Sequence, residues 1–378
     1  MRILHFIPNL SMGGAERLVI DICNELIARE NISVALVVMN KINDFDVPIH
    51  FPIIQTDSRV TLSVIKKNNY DLKSLNKLLA DFKPDIIHSH LLEAEILSRS
   101  VIKENVRYFS HFHDNISQLK KSKFWTISSK KNLADLIERN WLLKRYRKSK
   151  TNFIAISKDT AAYIYTHIPK HKALKVHFMH NAINLSSFNI TSNERSIIKT
   201  NAIHLISVGS LVTKKNQLFQ LDIISELIKR GVDVTLTICG EGYARELIEK
   251  KIDLLQLQQK VHLLGNVKDI QTRLNQADIL IHTATYEPFG LIFLEAMAAK
   301  VPIVTLNGKG NADIILHKHN ALLVEREDVS LFCDAIQSIL EDEKLQTNLI
   351  ANASEFVKKY DITLYVDQLI QLYVSSEN

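Results

Sequence analysis

The stretch Ile281-His282-Thr283-Ala284-Thr285-Tyr286-Glu287-Pro288-Phe289-Gly290-Leu291-Ile292-Phe293-Leu294-Glu295-Ala296-Met297-Ala298-Ala299 decides the reading of this chain. The residues from Asp278 to His282 form a short apolar strand, Pro288 and Gly290 break it, and Leu291 to Ala299 are strong helix formers without a breaker. This is strand, turn, helix. A helix N-terminus presents open N–H groups and a partial positive charge, so the amides from Phe289 to Ile292 suit a phosphate. Glu287 in the turn and Glu295 one turn into the helix accept hydrogen bonds but do not donate them when ionised, so they suit hydroxyls on either side of an anionic group. A sugar nucleotide has that pattern of sugar hydroxyls, diphosphate and ribose hydroxyls. The same residues also fit a plainer role, as a favourable first-turn acid and an ordinary surface position.

Working outward, the chain repeats one grammar twice. Arg2 to Pro8 reads as a buried strand running into Met12-Gly13-Gly14-Ala15-Glu16-Arg17 and a helix, the opening βα unit of a doubly wound sheet. Gly13 and Gly14 let backbone approach a ligand closely. Further strands are read at Ser33 to Met39, at Lys83 to His90 and at Val106 to His111, with a helix from Tyr70 to Phe82. Strand ends facing a ligand carry His88, His90, His111 and His113. For the first three, ligand contact and buried packing stay equally open. Ser157 caps a helix from Lys158 to Thr166, and the polar run from Ser186 to Asn201 reads as a linker.

The second half opens with a strand at Ala202 to Val208, the loop Gly209-Ser210-Leu211-Val212-Thr213-Lys214-Lys215-Asn216 and a helix from Gln217. A lysine at the end of such a loop neutralises a diphosphate as a point charge. Next come Gly240-Glu241-Gly242, two thirds of a dinucleotide fingerprint, and the turn Gly265-Asn266-Val267. After the opening stretch follow a strand at Val301 to Thr305, then Asn307 to Ile315, a closing strand to Val324, and helices through Val374. Asp44-Phe45-Asp46 matches a metal-binding pattern of transferases of another fold, but in a polar loop it reads as a solvated turn.

Composition sets the bounds. At 378 residues with 46% hydrophobic content, two domains with real cores are expected. No apolar run reaches about 18 residues, so a soluble cytoplasmic protein is expected. Cys23, Cys239 and Cys333 are far apart and read as buried thiols in a reducing compartment. Between Lys120 and Lys150 eleven Lys and Arg face two acids, Asp135 and Glu138, so this segment holds more than the whole net charge of +6. Basicity that local argues against a nucleic-acid binder and for one surface meeting an anionic partner. Phe124, Trp125, Trp141, Leu142, Leu143 and Tyr146 interleave with it, which suits a peripheral contact with the inner face of an anionic membrane, or a pair of helices with a basic face.

Glu287-x-Phe289-Gly290 followed by Glu295 and Ala296-Met297-Ala298 resembles the signature of the retaining glycosyltransferases of family 4, of the two-domain GT-B fold. Gly13-Gly14-Ala15-Glu16 resembles the family's N-terminal loop, and His180-Asn181-Ala182-Ile183-Asn184 its turn before the linker, with Ala182 for glycine. The resemblance implies an α/β architecture of two doubly wound Rossmann-like domains facing a cleft. Residues 1–188 form the acceptor-side domain, 189–201 the linker and 202–361 the donor domain, with 362–378 packing back on the first.

The resemblance further implies transfer from a nucleotide diphosphate sugar, of UDP type, to a saccharide or lipid-linked saccharide, with retention, in cell-surface polysaccharide synthesis. It places His113 beside the donor sugar, Lys215 on the leaving diphosphate, Glu287 on sugar hydroxyls and Glu295 on the ribose. Gly14, Ser210, Lys214, Gly240, Asn266, Val267, Phe289, Gly290 and Leu291 complete the donor contacts. Ser210 stands where the family has arginine, so that contact is missing or comes from Lys214. No metal and no cofactor are expected, because lysine and helix dipole supply the charge. The rivals are a non-catalytic sugar-nucleotide-binding subunit, or a phosphorylase or epimerase on the same fold.

Overall fold

The computed structural model describes residues 1–56, 58, 71–120, 130–169, 174–188 and 202–376. The chain divides into two compact units, Met1–Asn181 with Ile362–Asn378, and Ala182–Asp361. Residues 189–201, read above as the linker, lie outside the described residues, as do Phe124 and Trp125 of the basic stretch.

The first unit runs β1 (Arg2–Ile7), α1 (Gly14–Ile27), β2 (Ser33–Val38), β3 (Ile53–Gln55), α2 (Leu72–Phe82), β4 (Ile86–His90), α3 (Leu92–Ser98), β5 (Arg107–Phe112), α4 (Lys130–Lys148), β6 (Asn152–Ala155), α5 (Lys158–His167) and β7 (Lys175–Phe178). Its seven strands pair in the order β3-β2-β1-β4-β5-β6-β7, every pair parallel. Helices on both faces bury the central strands along nearly their whole length rather than on alternate residues. Ile3, Leu4, Phe6 and Ile7 of β1 are all buried, and each such side chain contributes about 1.5–3 kcal/mol relative to exposure. Local signals set the helix starts: Asp71 accepts from the Ser74 amide at 2.9 Å, and Ser157 from the Thr160 amide at 3.2 Å. Such caps are worth about 1 kcal/mol each.

The second unit repeats the plan with β8 (Ile203–Val208), α6 (Gln217–Lys229), β9 (Val234–Cys239), α7 (Arg245–Leu254), β10 (Val261–Gly265), α8 (Ile270–Asn275), β11 (Ile279–His282), α9 (Leu291–Ala298), β12 (Ile303–Leu306), β13 (Leu322–Val324), α10 (Val329–Glu341) and α11 (Glu343–Val357). Its six strands run parallel in the order β10-β9-β8-β11-β12-β13. The last helix, α12 (Ile362–Ser375), belongs to the first unit. Arg29 pairs with Asp367 at 3.0 Å, and the Tyr373 ring meets Phe109 edge-on at 4.9 Å.

One sequence reading changes. Three apolar side chains of the basic stretch are not left for a partner: Leu142 and Tyr146 of α4 are 1% exposed and belong to the core around Phe153, while Trp141 is covered by the Arg145 guanidinium 3.0 Å from its ring centre. Burial against β6 wins because a helix on a sheet must hide its larger side chains. Asp44 lies half-buried in a loop whose Asp46 is exposed. Its carboxylate accepts from the Met12 amide at 3.2 Å and so fastens the glycine loop before α1. Finally, α3 and α7 carry no signature singled out above. α3 is too short to show a period, and α7 is mostly charged, with only Ile248 and Ile252 buried.

Candidate functional site

In the second unit, the carboxyl ends of β10, β9, β8 and β11 lie side by side, the usual ligand edge of an open parallel sheet. Two turns are stitched together there. Thr283 Oγ1 donates to the carbonyls of Lys215 (3.2 Å) and Asn216 (3.0 Å) and accepts from Gln220 Nε2 at 2.9 Å. The Thr285 amide donates to the Lys214 carbonyl at 2.9 Å. This delivers the Lys215 ammonium onto the Glu287 carboxylate, an ion pair with side chains 16% and 7% exposed. His282, the last residue of β11, meets the same oxygen, Glu287 Oε2, at 2.9 Å. The Glu287 amide donates to the Gly308 carbonyl at 2.9 Å, and Asn311 Oδ1 holds the Gly308 amide at 2.9 Å. A side chain at 308 would place its Cβ 2.9 Å from that of Glu287.

The electrostatics follow from this packing. Burial alone would raise the Glu287 pKa, but the Lys215 charge and the His282 hydrogen bond outweigh it and hold the carboxyl far below the usual range. For His282 burial wins and lowers the pKa, against the pull of Glu287. The imidazole is therefore neutral near pH 7 and donates Nε2–H to the carboxylate.

Beyond Glu287 the chain enters α9 through Gly290, whose φ of 90° is left-handed. A Cβ there would fall 2.5 Å from the Phe293 ring, so both conformation and space require glycine. Gly290 offers no side-chain cap, so the helix presents its first-turn amides at Leu291 and Ile292. Glu295 follows one turn later, half-buried. Gly240 sits where two loops touch: its φ is 143° and a Cβ would lie 2.1 Å from the Gly209 carbonyl oxygen. Ser210 next to it is exposed, Asn266 is exposed and Val267 half-buried after β10. Lys214 lies over the Tyr286 ring with Nζ 5.6 Å from its centre. Phe289 is 1% exposed, so its side chain is core and only its backbone is available.

In the first unit, Gly14 starts α1, and the neighbouring Glu16 folds back so that its carboxylate would lie 2.3 Å from a Cβ at Gly13. Burial raises the Glu16 pKa to about 6, against its own backbone hydrogen bond. His113 follows β5, its Nε2 2.9 Å from His90 Nδ1, and burial lowers its pKa to about 3.

The structure thus brings Lys215, Glu287, Gly290 and Leu291 together in one unit, with Ser210 and Gly240 packed against each other on the same edge, while Gly14 and His113 belong to the other. Sequence reasoning missed His282, although it stands inside the opening stretch as a polar end to an apolar strand. It also missed Thr283, Gln220 and Asn311, whose ordinary residue types give no signal before their partners are known.

Residues 189–356 match the family model described as Glycosyl transferases group 1, and residues 12–187 match Glycosyltransferase Family 4. The 2-deoxystreptamine N-acetyl-D-glucosaminyltransferase of Niallia circulans is 28% identical over 176 residues, 46% of this chain and 45% of that protein, so the chain spans about half the length of this curated relative. The UDP-Gal:alpha-D-GlcNAc-diphosphoundecaprenol alpha-1,3-galactosyltransferase of Escherichia coli is 23% identical over 82% of this chain and 80% of its own. The Anabaena HepE structure in complex with UDP and glucose superposes with a TM-score of 0.79 over 99% of both chains at 18% identity, a likeness of fold. With two family models in tandem across both parallel-sheet units, the chain belongs to the group 1 glycosyltransferases of family 4, built on the GT-B fold.

Proposed function

We propose that the protein moves a sugar from a nucleotide diphosphate sugar, of UDP type, to a saccharide or lipid-linked saccharide in cell-surface glycan synthesis, with retention of anomeric configuration. The observation that carries this is the Glu287 carboxylate, ionised and buried between Lys215 and neutral His282 at the mouth of α9. Both of those bonds fall on Oε2, and Oε1 is the oxygen we assign to donor-sugar hydroxyls. The Lys215 ammonium and the amides of Leu291 and Ile292 would meet the charge that grows on the departing diphosphate, the largest stabilisation such a site can give. Because lysine and helix dipole supply that charge, no cation is required at the diphosphate. Glu295 is assigned to the ribose, and Ser210, Lys214, Gly240, Asn266 and Val267 to the nucleotide and diphosphate along the strand ends.

His113, Gly14 and the acceptor belong to the first unit in this reading. The UDP and glucose named for the Anabaena structure and the diphosphoundecaprenol acceptor named for the Escherichia coli relative support the donor and acceptor classes. No helix among the described residues is long and apolar enough to cross a membrane. Peripheral contact is proposed through the exposed Lys144, Arg147 and Lys148 of α4, beside exposed Leu133 and Ile137.

Release of nucleoside diphosphate from a panel of UDP, GDP and ADP sugars tests the proposal. The expected result is turnover with one donor class, lost by about 10²-fold or more in Glu287→Ala and in Lys215→Ala. Donor binding without any turnover would instead point to a non-catalytic subunit, and full turnover in both variants ends the assignment.

A further inference from the structure

Five imidazoles, those of His5, His88, His90, His111 and His113, crowd one face of the first sheet around β1, β4 and β5, with neighbouring ring centroids 4.1–5.3 Å apart. Three of them form a chain. His5 Nδ1 lies 3.0 Å from His90 Nε2, and His90 Nδ1 lies 2.9 Å from His113 Nε2. Ring centres in both pairs stand 5.2 Å apart, so the nitrogens rather than the ring faces are turned toward each other. Both nitrogens of His90 are thereby used. The chain has two open ends, His5 Nε2 and His113 Nδ1, and neither finds a hydrogen-bond partner among the described residues.

Burial lowers the pKa of His5 and His113 to about 3 and that of His90 well below its usual value, so near neutral pH each ring carries one N–H and one lone pair. Two N–H groups are spent inside the chain. The third must stand at one end, and all three tautomers follow from which end that is. His5 lies within β1 at 0% exposure, and an N–H left there would stay unmatched at all times. A buried N–H without an acceptor is a rarer fault than a lone pair without a donor. His113 stands half-buried just past β5, at the edge where an open parallel sheet takes its ligands, so a donor at that end has its acceptor in a bound molecule.

We propose that His90 and His5 are positioning residues that lock His113 in its Nδ1–H tautomer and so offer a sugar oxygen a hydrogen-bond donor. This rests on the proposed function, which puts His113 beside the donor sugar. The bonds run one way. His5 Nδ1–H donates to His90 Nε2, His90 Nδ1–H donates to His113 Nε2, and His113 Nδ1–H is left for a hydroxyl or amide carbonyl oxygen of the sugar. A ring free to exchange tautomers would spend part of its time facing that oxygen with a lone pair, which repels it; the hydrogen bond at the other nitrogen decides which form is present. The remaining two rings take no part in the chain. His88 Nδ1 is engaged with the Tyr373 hydroxyl at 2.5 Å, and His111 meets His113 ring to ring, with centroids 4.1 Å apart.

The test labels histidine with ¹⁵N in the ligand-free full-length protein and reads tautomers from long-range ¹H–¹⁵N correlations near neutral pH, the His113 signals being identified by their loss in His113→Gln. A protonated Nδ1 and a bare Nε2 on His113 are expected. A protonated Nε2, or mixed tautomers, in the wild-type chain overturns the proposal, whatever the variants do. His5→Phe should leave His113 in mixed tautomers and lower kcat/KM about 10-fold, as loss of a partner that orients a working imidazole does. His5→Asn, whose amide takes the place of ring Nδ1 and still donates to His90, should restore both. An unchanged Nδ1–H tautomer in His5→Phe, or no rescue of the tautomer by His5→Asn, overturns the role of His5 and His90. The spectra are read without sugar nucleotide, so their failure leaves the donor-site reading standing, and full turnover in Glu287→Ala and Lys215→Ala ends that reading while the tautomer lock stands.

Discussion

The two units bury polar side chains at their strand ends in opposite ways. In the second, Glu287 is taken out of water as an ion and is compensated on the spot by Lys215 and His282. In the first, five histidines are taken out of water as neutral rings, and several of their nitrogens meet nothing among the described residues. A buried charge must be paired or it would neutralise, whereas a buried imidazole simply stays uncharged. The first arrangement is complete and poised for charge that develops elsewhere. The second leaves ring nitrogens such as His5 Nε2 and His88 Nε2 unmatched among the described residues, at a cost in stability.

The comparison breaks most visibly at Glu287. If its carboxylate is the working end of the charged cluster, Glu287→Ala lowers turnover by about 10²- to 10³-fold, measured as initial rates of nucleoside diphosphate release. Next in size is the stability of the pair. Lys215→Met leaves a buried carboxylate without its cation, held only by the His282 hydrogen bond, and should cost about 3 kcal/mol in chemical denaturation, while adding Glu287→Gln should recover most of that loss.

Acid sharpens the contrast further. Burial holds His5 and His113 at about 3 when folded, below the unfolded value of about 6.5. Their depressed folded pKa means that the unfolded chain binds protons first, so first-unit stability falls as pH drops below about 6.5, by up to ~1.4 kcal/mol per histidine for each pH unit. Glu287 is also depressed, and its contribution stays whole until pH falls below about 4.3, the unfolded carboxyl value. Both tryptophans, Trp125 and Trp141, lie in the first half of the chain. Their emission should therefore report acid unfolding well above pH 4, and a transition confined below that would contradict the neutral cluster.

The smallest effect is at the surface. Lys144→Glu with Arg147→Glu should weaken sedimentation with anionic vesicles while donor binding stays unchanged, and equal sedimentation removes the membrane contact.

Much of this was legible in local sequence. Pro288 and Gly290 break the chain between an apolar strand and a helix, and the structure starts α9 at Leu291 for that reason. Gly240, Asn266 and Lys215 stand at strand ends where the doubled βα pattern puts them. Less legible were residues whose meaning depends on distant partners. Tyr146 reads as an interfacial aromatic until Phe153 is found against it with ring centres 4.9 Å apart, and nothing local to Asp44 shows that its carboxylate holds the Met12 amide.

By itself the sequence determined the strands, helices and turn glycines, because backbone preferences, caps and apolar periods act within a few residues. Only the tertiary structure decided that Lys215 meets Glu287 across 72 positions and that His5 stands beside His88. Crossover connections make neighbours of β1 and β4, and of β8 and β11, strands far apart along the chain. Charge state at both strand-end clusters then follows from burial, a property that no single residue carries.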